Sequence, residues 1–393
     1  MPLDFHSFYA SSAALRHGVT PYLTLRIPYL ASHYEVGQSL NPPIFLMLMS
    51  PLSRLSPHAA LITWSLLSFI LGLFSAFIAF KWTFSKDFLK QHQLTLYSIY
   101  LSLFSTLATT GIGQIGSCTA FFLMMGYDLY RRGRDGFAAV FWGIIIAIKL
   151  FPGLLFFYVL RQRRYNMLGI MVMTVFVLCL IPVLVYNMDI YSNYFKLIHS
   201  ANWYGDSWNA SIYGFLFRWF SNPMRQFTFI QCLYNLLAIG CIAWYVKKIY
   251  SIRTSEDSDH RQFCLTLVMM LLISPFGWIY YFPIILFPLL ITGSQAMSVH
   301  ATKNTMWIWF ACLCLINYPA WIIHSINTTS LFKRLSIESV WFYGLLLLAC
   351  ILSSQKVSFF RSGVKNISNG LILPLVVILA FEFLISLCCI WQL

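Results

Sequence analysis

The sequence predicts an all-α membrane protein, a multi-span helical bundle in which some spans are broken into short re-entrant or paired half-helices. Composition is the first observation behind this: 59% of the 393 residues are hydrophobic and only 10% charged, with a mean hydropathy of +0.72, unlike a soluble domain. Length is the second. Apolar runs of about 20 residues, enough to cross ~30 Å of hydrocarbon, recur from about residue 59 onward. The third is the placing of charge. A formal net charge of +14 raises the question of nucleic acid, but the basic residues sit in short clusters between apolar runs and form no stripe. Membrane topology accounts for them, and no nucleic-acid partner is expected.

Taken in order, residues 1–57 read as an outer-facing segment. Met1 to Tyr22 is polar and aromatic and has no apolar core of a cleavable signal peptide. A helix is expected from His6 to Leu15, with Asp4 ahead of it. Asn41 to Leu55 is apolar but short and carries Pro42, Pro43 and Pro51, as an interfacial or re-entrant helix would. Residues 58–393 form one polytopic domain, with spans at about 58–80, 94–111, 115–130, 166–187, 228–246, 305–323, 336–352 and 371–391.

Two further stretches, 136–160 and 263–293, are read as hairpins. If each crossed once, the basic cluster Arg161-Gln162-Arg163-Arg164 would land on the same side as the Gly111-Ile112-Gly113-Gln114 turn, against the positive-inside rule. Breaking 136–160 at Ala147 to Gly153, where Pro152 and Gly153 interrupt the helical ladder, restores the bias and leaves Lys149 near an outward tip. The same reasoning places Ser274-Pro275-Phe276-Gly277-Trp278 outside. Seventeen of the 26 Lys and Arg residues then face the cytoplasm. An outer loop covers residues 188–227. The ten cysteines show no CxxC or Cys/His spacing and read as small core residues, so no metal site is expected.

On this topology few acids face outward: Asp4, Glu35, Asp189, Asp206 and, at a helix boundary, Glu338. Asp4 has two readings, a cap for the following helix or a general base among the aromatics Phe5, Phe8 and Tyr9, with His6 two residues away. Lys149 likewise snorkels to headgroups or meets a lipid-borne phosphate. In the outer loop, Trp203, Tyr204, Asp206 and Asn209 alternate aromatic and polar side chains, which suits either sugar binding or interfacial anchoring.

The order of short motifs extends over most of the chain. It runs from Asp4-Phe5-x-x-Phe8-Tyr9 and Gly18-x-x-Pro21-Tyr22 through Asn41-Pro42-Pro43, Pro51-Leu52 and Gly113-Gln114. It continues with Gly143, Lys149-x-x-Pro152, Asn209-x-Ser211-x-x-Gly214, Arg218 and Ser274-Pro275-x-x-Trp278. In this order the motifs resemble the polyprenol-phosphate-dependent glycosyltransferases of family 87, with a further likeness to the glycosylphosphatidylinositol mannosyltransferases. The resemblance implies a GT-C-type fold in the plasma (inner) membrane, multi-pass, with its active site facing the periplasm or outside. It implies inverting transfer of mannose or arabinofuranose from a polyprenyl-phosphate sugar donor to a glycolipid or glycan acceptor, with membrane lipid as surroundings and no cofactor or metal.

By that resemblance Asp4 is the general base, and Lys149 with Arg218 neutralises the donor phosphate. Where the family often has a histidine, Tyr280 and Tyr281 stand and are expected to serve the phosphate instead. His6, Tyr9, Gln114, Trp203, Tyr204, Asp206, Asn209 and Trp278 are the expected sugar and acceptor contacts. The family usually sets a transmembrane helix ahead of the Asp motif, whereas three residues precede Asp4 here. A catalytically inactive relative and a flippase of lipid-linked sugars are the alternatives.

Overall fold

The computed structural model describes residues 3–22, 25–26, 35–36, 39–200, 203–220, 222–251, 256–297, 302–318 and 330–354. The expected span at 371–391, the end of that at 305–323, and the basic residues 356–365 lie outside the described residues. The described chain is helical apart from two short strands, β1 (Leu25–Arg26) and β2 (Glu35–Val36), paired antiparallel. Five stretches are long and apolar enough to cross a membrane: Pro57–Thr83, Tyr165–Tyr186, Phe227–Ser251, Ile279–Ala296 and Leu331–Ser353. The chain is therefore a multi-span, all-α membrane protein.

It divides into two compact units. The first comprises Met1–Ser75, Thr109–Gly153 and Arg164–Ala201, and the second Ala76–Ala108, Leu154–Arg163 and Asn202–Leu393. The N-terminal segment thus shares its unit with two later stretches of the chain.

In the first unit α1 (Leu3–Arg16) packs against α2 (Pro43–Met49) and the turn after it, where the Tyr9 hydroxyl donates to the Leu55 carbonyl at 2.8 Å. The prolines account for the shortness of α2, since Pro43 opens it and Pro51 follows it closely. Next, α3 (Pro57–Thr83) runs on into the second unit. The helices α6 (Gly116–Arg131), α7 (Asp135–Ile148) and α9 (Tyr165–Tyr186) then stack closely. Two glycines permit the approach. A Cβ on Gly143 would stand 2.6 Å from that of Thr174 on α9, and one on Gly126 would meet the Trp142 ring at 2.3 Å. Val172, Met173, Phe176 and Val177 on α9 are exposed, as a lipid-facing surface requires. A short α10 (Asp189–Ser200) closes the unit.

The expected break within 136–160 is present: α7 ends at Ile148, Lys149 is extended, and a 3-10 turn (Phe151–Leu154) leads into α8 (Leu155–Arg161). Helix α8 belongs to the second unit. There α13 (Glu256–Ile273) is wrapped on all sides, with Phe263, Leu265, Leu267 and Val268 buried. It touches α8, α12 (Phe227–Ser251), α14 (Leu286–Ala296) and α17 (Val340–Ser353). The hairpin at 263–293 is also present, broken at Ser274 to Trp278 and resumed as a 3-10 stretch, Ile279–Ile285. Also in this unit are α11 (Ile212–Trp219), α15 (Lys303–Ile316) and α16 (Leu331–Ser336).

The expected single span at 94–111 is instead two helices, α4 (Lys86–Ser102) and α5 (Phe104–Gly111), parted at an extended Leu103. The break is stabilised from a distance. Asn317, just past α15, accepts from the Phe104 N–H at 2.6 Å and supplies the cap that the local sequence lacks.

Candidate active site

Asp4 lies within the first turn of α1, which begins at Leu3, so it does not occupy the N-cap position ahead of a helix starting at His6. Its carboxylate is held from another part of the chain. The Gln114 side-chain amide donates to Asp4 Oδ2 at 2.7 Å, while Gln114 Oε1 accepts from the Ile115 N–H at 3.2 Å, which fixes the amide's orientation.

Gln114 owes its place to the turn before it. Gly113 has φ +68, the left-handed conformation that glycine adopts without strain. A Cβ there would stand 2.7 Å from the Cβ of Phe5. The Trp64 indole donates to the Gly113 carbonyl at 2.8 Å, and the Phe5 N–H donates to the Ile112 carbonyl at 3.3 Å. The turn is thus clamped to the first turn of α1 from both sides. Sequence reasoning picked out Gln114 but missed Trp64 and Phe5 as its frame; the paired glycines of Gly111-Ile112-Gly113 were the available signal. Accordingly, Gly113→Ala should lower stability by about 2–4 kcal/mol, from left-handed strain and overpacking together. Gly111→Ala, whose Cβ meets open space, should not. Thermal unfolding of both variants, with transfer activity measured alongside, checks this.

Burial raises the Asp4 carboxyl above its usual range. The Gln114 hydrogen bond and then the charge of Lys149 pull it partway back. The structure therefore brings Asp4, Gln114 and Lys149 together in one unit, although they come from three separate parts of the sequence. Asp4 as a residue keeps some exposure, but burial dominates the environment of its carboxyl. Two neighbours named from the sequence take other places. His6 follows Asp4 by two residues on one helix, so the two point to opposite sides. Burial also holds the His6 imidazole below its usual range. The Tyr9 hydroxyl is engaged with Leu55.

The remaining sequence-derived residues lie in the second unit. Two of the short motifs lock together there. Asn209 and Trp278 form a β-bridge, flanked by Ala210 N–H to the Gly277 carbonyl at 2.9 Å and Ile279 N–H to the Trp208 carbonyl at 3.0 Å. The fully buried Asn209 amide donates to the Tyr204 and Pro275 carbonyls, both at 2.9 Å. Its oxygen accepts from the Ser211 N–H at 3.2 Å and the Gly277 N–H at 3.1 Å. Both donors and both acceptor positions are consumed, so the expected contact from Asn209 to a sugar gives way to a structural keystone. Gly214 and Gly277 are required for the same reason: a Cβ would stand 2.6 Å from the Asn209 carbonyl oxygen and 2.3 Å from that of Leu271, respectively.

Arg218 holds the same loop. It is buried on α11, and its Nε donates to Ser339 Oγ at 2.9 Å while Nη1 donates to the carbonyls of Asp206 (2.8 Å) and Asn209 (3.0 Å). Burial lowers its pKa to about 10, so it remains a cation at neutral pH. Its Nη2 finds no partner among the described residues. The exposed Asp206 carboxylate is turned onto the Trp208 N–H at 2.9 Å.

Aromatic rings line up beside this keystone. Tyr204 stacks on Phe276 (5.0 Å between centroids, 25° between planes), Phe276 on Trp278 (6.2 Å, 15°) and Trp278 on Tyr280 (5.7 Å, 17°). Tyr204, Trp278 and Tyr281 are buried and Tyr280 is partly open. Trp203 opens the turn Trp203–Gly205, and its side chain is outside the described part. Among the described residues no three His, Cys, Asp or Glu side chains cluster as metal ligands would. Asn209→Ala would strand four backbone groups and should destabilise the protein by about 2–5 kcal/mol. A drop in the unfolding temperature of several degrees is the expected reading.

The profile of glycosyltransferase family 87 matches residues 40–275, more than half of the chain. No curated protein and no solved structure matches. Gln114, Lys149, Asn209 and Arg218 fall within the matched stretch, and Asp4 precedes it.

Proposed function

Because the chain belongs to glycosyltransferase family 87, and is thus a multi-pass membrane glycosyltransferase, we propose that it transfers mannose or arabinofuranose from a polyprenyl-phosphate sugar to a lipid-linked or glycan acceptor. In this reading the reaction takes place at the outer face of the plasma membrane. The observation that carries it is the meeting of Asp4, Gln114 and Lys149 in one unit, a carboxyl of raised pKa that feels the Lys149 amine.

The chemistry follows from those groups. Asp4 takes the proton of the acceptor hydroxyl as its oxygen bonds to the sugar C1. The bond from C1 to the phosphate oxygen breaks on the opposite face, which inverts the anomeric centre. The electron pair leaves with the polyprenyl phosphate, whose oxygens gain a second negative charge, and Lys149 stabilises that charge where it develops. A carboxyl raised by burial is a better base than an ordinary aspartate, and the Gln114 hydrogen bond aims it.

The test is a transfer assay with purified protein, lipid-extract acceptor and radiolabelled donors supplied separately as polyprenyl-phosphate mannose, polyprenyl-phosphate arabinofuranose and nucleotide sugars. Product from a polyprenyl donor, with the anomeric configuration inverted, is the expected result. Transfer from the nucleotide sugar alone would overturn the donor assignment.

A further inference from the structure

Trp64 stands on the protein-facing side of α3, with Ala60 and Ser68 one turn to either side, and all three are buried. Ile62, Leu66, Leu67 and Ile70 on the rest of that helix are exposed, as lipid-facing residues are. A buried indole N–H needs an acceptor, and many carbonyls would satisfy it. The one it takes belongs to Gly113, immediately before Gln114, at 2.8 Å.

Peptide planarity gives this bond its reach. The Gly113 carbonyl and the Gln114 N–H belong to one rigid peptide unit. Trp64 holds the oxygen of that unit, and the Thr109 carbonyl accepts from its N–H at 2.9 Å. Gly113 has no Cβ to resist rotation of the unit, so these two bonds decide its orientation. The Gln114 side chain leaves from there, with Oε1 accepting from the Ile115 N–H and Nε2 donating to Asp4 Oδ2 at 2.7 Å. With Oδ2 tied, Oδ1 is the oxygen left to take a proton.

A second set of contacts runs from Trp64 back to the same helix. Its ring meets Phe45 of α2 edge-on, 6.3 Å between centroids and 74° between planes, and Phe45 meets Phe8 of α1 at 5.1 Å and 84°. Phe8 is four residues from Asp4, one turn along the same face of α1. Ser68 meets Cys118 Sγ at 3.9 Å, which fixes the height of α3 against the stretch that follows Gln114. The first two turns of α1 are thus braced at Asp4 by an amide and at Phe8 by a ring, and both braces lead to Trp64.

We propose that Trp64 is a positioning residue for the general base: by holding the Gly113–Gln114 peptide unit it aims the Gln114 amide, and through that amide the Asp4 carboxylate. The inference rests on the reading of Asp4 as base given above.

Steady-state transfer by the full-length protein from the polyprenyl-phosphate donors tests it. Trp64→Phe keeps a ring against Phe45 and removes the N–H. It should lower kcat by about 10–10²-fold, as a misplaced reacting group does, with KM changed less than about twofold. Burial apart, the Gln114 bond and the Lys149 charge act on the Asp4 carboxyl, and both lower its pKa. Losing the bond therefore moves the acidic limb of the pH–rate profile to higher pH, equally in Trp64→Phe and Gln114→Ala. In the double variant kcat should stay within about twofold of Gln114→Ala alone, because the indole then has no amide to aim. Met167→Ala, a cavity elsewhere in the same unit, should lower the unfolding temperature and leave the limb in place. Losses that add in the double variant would overturn the proposal. So would wild-type kcat and an unmoved limb in Trp64→Phe beside an inactive Asp4→Asn, a result that leaves Asp4 as base. Full transfer by Asp4→Asn would instead remove the base itself, and the positioning role with it.

Discussion

Asp4→Asn is expected to reduce sugar transfer by about 10²–10⁴-fold, the usual worth of a positioned general base, while leaving the unfolding temperature unchanged or higher at neutral pH. Loss of rate without loss of stability follows from the direction of the carboxyl's shift. Burial raises the folded-state pKa of Asp4 above its value in the unfolded chain. Below the ordinary carboxylate range both states are protonated and nothing is lost. As pH rises toward the raised folded value the unfolded chain gives up its proton first, so stability falls with pH. At neutral pH the buried carboxylate is therefore a net cost, and asparagine removes it while still accepting from Gln114. The stability difference between Asp4→Asn and wild type should grow as pH rises from about 3 to 7 in calorimetry. A helix-capping role predicts the opposite: lowered stability and little change in rate. Wild-type transfer by Asp4→Asn would end the assignment of Asp4 as base.

How far the site was legible in the sequence depends on how local each cause is. Pro152 and Gly153 stop a helix by their own backbone chemistry, so the break beside Lys149 could be placed from composition and charge alone. The same holds for Pro43 and α2. The break at Leu103 was not legible, because the group that stabilises it, Asn317, lies 213 residues beyond Phe104. Asn209 shows a different failure. Amides interleaved with aromatics are common to sugar sites and to buried keystones, and only the partners of the amide decide between them; here four protein groups occupy it. His6 stands two residues from Asp4 in the sequence, and the helix sets residues two apart on different sides. Asp4 and Gln114 could each be singled out, but their bond spans 110 residues and waited on the Gly113 turn.

Lys149 carries the second large effect, and its coupling to Asp4 separates a phosphate site from a lysine that merely snorkels. Lys149→Met should reduce transfer by about 10²–10³-fold, as expected when a charge that stabilises a developing anion is removed. Photocrosslinking of a polyprenyl-phosphate probe should weaken in parallel, because the same cation meets the donor's first negative charge. Snorkelling predicts neither change. The pH profile adds a readout that positioning of lipid alone would not move. The base must be ionised to act, so the rate rises with pH through the Asp4 titration. Lys149 draws that titration downward, and without it the acidic limb of the profile should move to higher pH. Lys149→Arg keeps the charge and should leave the limb near its wild-type position, while restoring transfer only in part, since a planar guanidinium does not place its charge where a compact ammonium does. An acidic limb that stays fixed in Lys149→Met would mean that the two groups do not act as a pair, and the donor phosphate would have to be sought among other cations.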